Sequence, residues 1–362
     1  MCSGPEVVRG RLLYFTPSSP DASDAPGVRS RYLVAALREA GWEVQVFAGD
    51  RDAVFRTPSN KHSAKRRLAG EALAGIEAAL RLATSRADGF VLSSPSYVSV
   101  LITGGALAAL RRPFVLDVRD IYPEVYFHLG LLPRDSLPGR ALVKLAGGLY
   151  RRAAGIATAT EGLRQIVDGY RPGTPLVAVF NGFDASLFSP SEEKRERFSL
   201  VFHGNLARMQ NVELLLAVAE RLPDDVDVLV AGDGPQADRL RDQSRVQYLG
   251  KVDYEDIPAL VRSCHVGLSF RNDGVINETA FPVKIFEYLG AGLPVITTPH
   301  SEAGRYLEAE GLGRQFHNHE LDELVEEILA WRQRRHGIEP PPSRSRQEQA
   351  RAFAALVDSV IA

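Results

Sequence analysis

The sequence is poor in cross-linking sulfur and has no long apolar run. Only two cysteines, Cys2 and Cys264, occur in 362 residues. That is too few for a disulfide framework or a four-cysteine zinc site, so a reducing, cytoplasmic setting is expected. No apolar stretch reaches the roughly 18–20 residues that cross a bilayer, and the opening MCSGPEVVRGRLLYF lacks the apolar core of a signal peptide. No membrane crossing is expected. The G-x-S-x-G elbow, the P-loop and H-E-x-x-H are also absent, which removes the simplest hydrolase, kinase and zinc-protease readings.

An overall excess of charge is missing too, with 43 Lys and Arg against 45 Asp and Glu. The balance hides an asymmetry. Residues 1–180 carry 23 basic against 16 acidic side chains, and residues 181–362 carry 20 against 29. A basic half suits an anionic membrane face or nucleic acid, or is ordinary solvated charge.

The length suits two domains in one polypeptide. Apolar runs rich in β-formers recur as RLLYF 11–15, WEVQVFAG 42–49, GFVLSS 89–94, PFVLDV 113–118, GIATAT 155–160 and VAVF 177–180, with amphipathic stretches such as 29–40 between them. After the polar SPSEEKRERFS 189–199 the pattern restarts as LVFHG 200–204, VDVLVAG 226–232, VQYLG 246–250, VGLSF 266–270 and PVITT 294–298. Such alternation predicts an α/β protein of two doubly wound, Rossmann-like domains, each with a parallel sheet covered on both faces. The expected boundaries are 1–181, a linker at 182–198, a second domain at 199–334, and a Pro-rich linker with a final helix at 335–362, with a cleft between the domains. Ligands of such sheets sit beyond the carboxyl ends of the strands.

The loop AGDGPQA 231–237 places Gly232, Gly234 and Ala237 in the G-x-G-x-x-G/A spacing of a dinucleotide fingerprint, with Asp253 near the expected acidic position. It follows the second strand of its domain rather than the first, and an ordinary tight turn reads the same way. NAD binding and another nucleotide both remain open at this loop.

The segment NETAFPVKIFEYLGAGLPVITTP 277–299 says more. Pro282 is suited to start a helix, Lys284 falls in its first turn, Glu287 lies three residues on along the same face, and Gly290 or Gly292 ends it. The flanking apolar residues imply burial, where an idle Lys–Glu bridge is costly. A helix N-terminus with a lysine suits a diphosphate, and a carboxylate one turn deeper suits two ribose hydroxyls.

Asp117, Arg119 and Asp120 end the strand PFVLDV, either as a structural bridge or as part of a site, and Glu124 follows. The stretches NKHSAKRRLAGEALAGIEAALRLATSR 60–86 and LPGRALVKLAGGLYRRAAG 137–155 fit either a peripheral membrane contact or solvated and core-facing helices. Asp50-Arg51-Asp52 is a D-x-D after a strand, and His317-Asn318-His319-Glu320 is a polar run before a helix. Neither supplies an evident metal-ligand set.

The ordered set YLGKVDYEDIPALVRSCHVGLSF, FPVKIFEYLGAGLPVI, AGDGP, FNGFD 180–184 and GVRSRYLVAALREAGWEVQVFAG 27–49 resembles retaining glycosyltransferase family 4, with the GT-B fold, along nearly the whole chain. FVLDVRDIYPEVYFHLGLL 114–132 and FHGNLARMQNVELLLAVAERL 202–222 are similar to the branch that includes amino-sugar transferases of bacterial O-antigen and capsule assembly.

The resemblance implies transfer from a UDP-sugar or other nucleoside diphosphate sugar to a lipid-linked or glycan acceptor at the inner membrane, with configuration retained. It implies no cofactor, no metal and no nucleic acid partner. It assigns Glu287 to the ribose as the second glutamate of the E-x7-E element, where the first glutamate is replaced by Thr279 beside Glu278. It assigns the base to the neighbourhood of Val252.

The usual Arg and Lys of the first C-domain loop correspond to Asn205 and Gln210, after Gly204. Diphosphate charge therefore falls to Lys284, Arg208 and, more weakly, Arg271. Arg119 takes the place of a histidine near the reaction centre, Asp120 beside it is a further catalytic candidate, and Asp117 and Glu124 are candidates for the acceptor side. The departures also leave open a GT-B protein that binds without turnover.

Overall fold

The computed structural model describes residues 9–22, 24–49, 64–94, 97–120, 122–128, 130, 132–334 and 337–361. Cys2, the D-x-D aspartates at 50 and 52, and positions 60–63 of the first basic stretch lie outside them. The chain forms two compact units, one running to Phe180 and including Gln347 onward, the other Asn181–Arg346.

In the first unit the strands are β1 (Gly10–Thr16), β2 (Trp42–Ala48), β3 (Gly89–Ser93), β4 (Phe114–Val118), β5 (Gly155–Thr158) and β6 (Leu176–Ala178). They lie in the order β2-β1-β3-β4-β5-β6, and every pairing is parallel. The near-continuous apolar runs follow from burial on both faces. Leu13, Phe15, Phe90, Leu92, Phe114 and Leu116 pack with helices Ala64–Ala83, Tyr97–Ala109 and Leu137–Tyr150. Leu12, Tyr14, Val91 and Val115 pack on the other face, with helix Ala25–Glu39 and with Phe353, Leu356 and Val357 of the final helix, Arg346–Ile361. The last helix is therefore part of the first unit's core.

The second unit has β7 (Phe198–His203), β8 (Val226–Ala231), β9 (Gln247–Gly250), β10 (Val266–Phe270), β11 (Val295–Thr298) and β12 (Gly313–Gln315). Their order is β12-β11-β10-β7-β8-β9, again all parallel. Both units are thus doubly wound Rossmann-like domains, as the alternation predicts. No helix among the described residues is long and apolar enough to cross a membrane.

Candidate functional site

At the carboxyl end of the second sheet, the loops after β7 and β8 are held against each other through backbone. Gly204 N–H donates to Ala231 O, Leu206 N–H to Asp233 O, and the Gln236 amide to the carbonyls of Ala207 and Gln210. The glycines of AGDGP serve this contact. At Gly232, with φ of 150°, an added Cβ would come within 1.9 Å of Gly204 O, and at Gly234 within 2.8 Å of the Leu206 backbone. Neither tolerates a side chain. The loop is followed by a single 3-10 turn, Ala237–Arg239. The dinucleotide reading needs a helix N-terminus there to face a pyrophosphate, so the glycine spacing is explained by loop packing instead.

The helix Val283–Gly290 follows Pro282 directly, and Gly292 with φ of 74° lies just beyond it. Ile285, Phe286 and Leu289 are fully buried. Tyr288 anchors the helix to the sheet, its hydroxyl accepting from His203 N–H and donating to Leu268 O. This fixes Lys284 under the loop after β7. Its Nζ sits 3.9 Å from the centre of the Phe202 ring and donates to Gln210 Oε1 at 3.3 Å. Burial first, and then the neighbouring Arg271 charge, draw the ammonium down to about 7.

Arg271, at the end of β10, is buried; among the described residues it has the Met209 sulfur beside its Nη2 and no hydrogen-bond partner for Nε. Burial draws it down to about 10. Among the described residues no ion pair joins Lys284 to Glu287; the carboxylate pairs elsewhere. Two buried cations therefore face the 204–210 loop without a carboxylate between them. Arg208 and Asn205 are exposed on that loop.

Glu287 is itself buried and engaged. Its Oε1 accepts from the Tyr254 hydroxyl at 3.0 Å and lies 3.7 Å from Arg346 Nη2. Its Oε2 is 3.3 Å from His203 Nε2, though no hydrogen bond is formed there. Burial, and then Lys284, push His203 down to about 3, so the imidazole is neutral. Burial raises the Glu287 carboxyl, with Arg346 the leading opposing charge. Glu278 is exposed and Thr279 half-buried at the end of the short helix Val275–Glu278. Val252 is half-buried just beyond β9.

In the first unit, Asp117 is tied into the core. Arg29 Nη2 donates to it at 2.7 Å and Arg29 Nε at 3.2 Å, with Ser93 Oγ at 2.8 Å, while Arg29 Nη1 reaches Val179 O. Burial opposes ionisation, but Arg29 outweighs it and holds the carboxyl below its ordinary range. Arg119 differs: among the described residues its Nε and Nη1 are buried without hydrogen-bond partners, and burial lowers its pKa. Asp120 is exposed beside it.

Glu124 is buried among tyrosines, accepting from Tyr170 at 2.5 Å with Arg134 at 3.6 Å, and its Oε2 has no hydrogen-bond partner among the described residues. The cavity lined by Tyr97, Asp117, Asp120, Tyr122 and Tyr150 is only ≈ 20 Å³, room for about one water.

The polar run before helix Leu321–Arg334 is held by hydrogen bonds. The Glu320 carboxylate accepts from His317 N–H, and Asn318 bonds Asn211 and Asp273.

The structure thus gathers Gly204, Asn205, Arg208, Gly232, Gly234, Lys284 and Glu287 at one sheet end, and Asp117, Arg119 and Asp120 at the end of β4. Sequence reasoning missed Arg29, His203, Tyr254 and Arg346. Their partners lie 33 to 88 positions away, and no local spacing marks them.

The architecture is that of the GT-B fold. Residues 197–333 match the family model described as glycosyl transferases group 1. A probable glycosyltransferase WbjE of Pseudomonas aeruginosa is 26% identical over 278 residues, covering 69% of each chain. The lipopolysaccharide outer core galactosyltransferase WaaB in its apo form superposes with a TM-score of 0.66 at 13% identity, covering 96% of this chain and 99% of that one. Anabaena HepE in complex with UDP-glucose gives 0.57 at 17% identity, covering 96% and 95%. At these identities the structural likeness establishes the fold.

Proposed function

We propose that the chain is a retaining, family 4 glycosyltransferase that moves a sugar from a UDP-linked donor to a lipid-linked or glycan acceptor in cell-surface polysaccharide assembly of the O-antigen or capsule kind. The donor sugar is an N-acetylated hexosamine or deoxyhexosamine. The observation that carries the reading is the pair of buried basic side chains, Lys284 and Arg271, set beside the loop after β7 with no ion pair to either among the described residues. Loss of the sugar leaves new negative charge on a diphosphate. A positive site, completed as Lys284 takes up a proton, stabilises that charge more in the transition state than in the ground state.

Arg208 adds a third positive charge from the same loop. Glu287 holds the ribose, Val252 flanks the base, and Glu278 and Thr279 face the sugar. Arg119 and Asp120 serve the reaction centre, with Glu124 on the acceptor side and Asp117 as the anchor behind them. The nucleotide sugar is a co-substrate, and no cofactor or metal is assigned a step.

The chain rests on the cytoplasmic membrane face through the helix Ala64–Ala83, which exposes Leu73, Ile76 and Leu80, spaced three and four apart on one face. Purified protein given a panel of UDP-sugars with extracted lipid-linked glycans should release UDP in an acceptor-dependent way, unaffected by EDTA. UDP binding with no release from any donor would instead make it a GT-B binding protein without turnover.

A further inference from the structure

The two crossings between the units are knit together inside the second one. Phe183 N–H donates to Arg344 O at 3.1 Å and Arg346 N–H to Phe183 O at 2.7 Å. Gly182, with φ of 62°, lets this contact close, since an added Cβ would lie 2.6 Å from Arg344 O. The Arg346 Nε donates to Gly182 O at 3.1 Å, aiming the guanidinium inward. There its Nη1 donates to the Tyr254 hydroxyl at 3.3 Å, and that hydroxyl donates to Glu287 Oε1 at 3.0 Å. The side chains of Arg346 and Glu287 are 6% and 5% exposed. An arginine in a stretch that reads as a Pro-rich linker is thus the cation behind the candidate ribose carboxylate.

Among the described residues, the groups facing Glu287 are few. His203 on β7 is neutral. Tyr254, after β9, has its hydroxyl raised to about 12 by burial and then by Glu287, so it stays protonated. Tyr288 and Lys284 share its helix; Lys284 is turned to Phe202 and Gln210 and is itself drawn down to about 7. Arg346 is the strong, permanent charge in the group. A carboxylate accepts bonds from two hydroxyls only when ionised, and burial works against ionisation.

We propose that Arg346 is a positioning residue for nucleotide binding: by its charge and through the Tyr254 hydroxyl, it keeps Glu287 in the anionic form that accepts from a ribose. The inference rests on the nucleotide-sugar reading above.

The test is calorimetric titration of UDP into the full chain between pH 6 and pH 9. Wild type, R346M, R346K and E287Q are compared, with melting curves to confirm folding. Loss of Arg346 should weaken binding about tenfold at pH 6, with the deficit narrowing as pH rises, because burial raises the Glu287 carboxyl once its leading opposing charge is gone. R346K should stay near wild type, and R346M added to E287Q should cost nothing further. If R346M does not fold, R346Q takes its place.

A deficit that is the same at every pH, or that persists in the E287Q background, would overturn the assignment and leave Arg346 a structural clasp. Absence of UDP binding by wild type would instead sink the nucleotide reading on which the assignment stands.

Discussion

The two units each bury a cationic cluster at the end of a central strand, and the clusters are built to opposite plans. In the first, Arg29 and Asp117 form a bidentate pair completed by Ser93 and the Val179 carbonyl. In the second, Lys284 has an amide and an aromatic ring, Arg271 has a sulfur, and the nearby Glu287 is turned to Arg346 and Tyr254. A buried charge is tolerated when its partners are complete, and it is a standing cost when they are not. The Arg29–Asp117 pair is therefore read as scaffold, with Arg119 beside it carrying the first unit's unpartnered nitrogens, and the open cluster as a site whose missing partner is an anionic ligand.

Breaking the closed cluster should have the largest effect on folding. Asp117→Asn leaves Arg29 buried without its counter-charge, and a loss of about 3–5 kcal/mol is expected, read as a fall in the urea midpoint. Lys284→Met should behave in the opposite way. Turnover should fall about 100-fold or more, while stability is kept or raised by about 1–4 kcal/mol, because a poorly partnered ion is replaced by an apolar chain of similar volume. Kinetics and melting of the same preparation check both.

The sign with pH sharpens the contrast. Folded Lys284 sits near 7, below its unfolded value, so the unfolded chain binds the extra proton between there and about 10.5. The stability carried by this residue should therefore rise with pH across that window, and K284M should flatten the slope. The smallest effect is expected at the surface. Leu73→Ser with Leu80→Ser should reduce binding to anionic vesicles several-fold in a sedimentation assay without touching UDP affinity.

Much of the fold is legible in the sequence because the sheets are buried on both faces. Each apolar run from RLLYF to PVITT coincides with a strand to within about two residues. The strand β12 escapes because Gly313–Gln315 is short and carries no apolar run. The AGDGPQA loop misleads for a physical reason: glycines are demanded equally by a pyrophosphate and by a neighbouring backbone, and here Gly204 O and the Leu206 backbone are what lie close.

Lys284 and Glu287 are found from local spacing, since both sit on one helix. What they touch is not, because Arg271, Tyr254 and Arg346 reach them only through the winding of the chain. Arg346 is further masked by prolines that resemble a spacer.

The most direct test of the open site is calorimetric titration of the purified protein with UDP, GDP, ADP, TDP and NAD, without metal, at pH 7 and pH 8.5. One nucleoside diphosphate should bind in preference, with proton uptake as Lys284 is recharged, and with weaker affinity at the higher pH. Binding of NAD alone, or diphosphate binding unchanged by pH and by K284M, would contradict it.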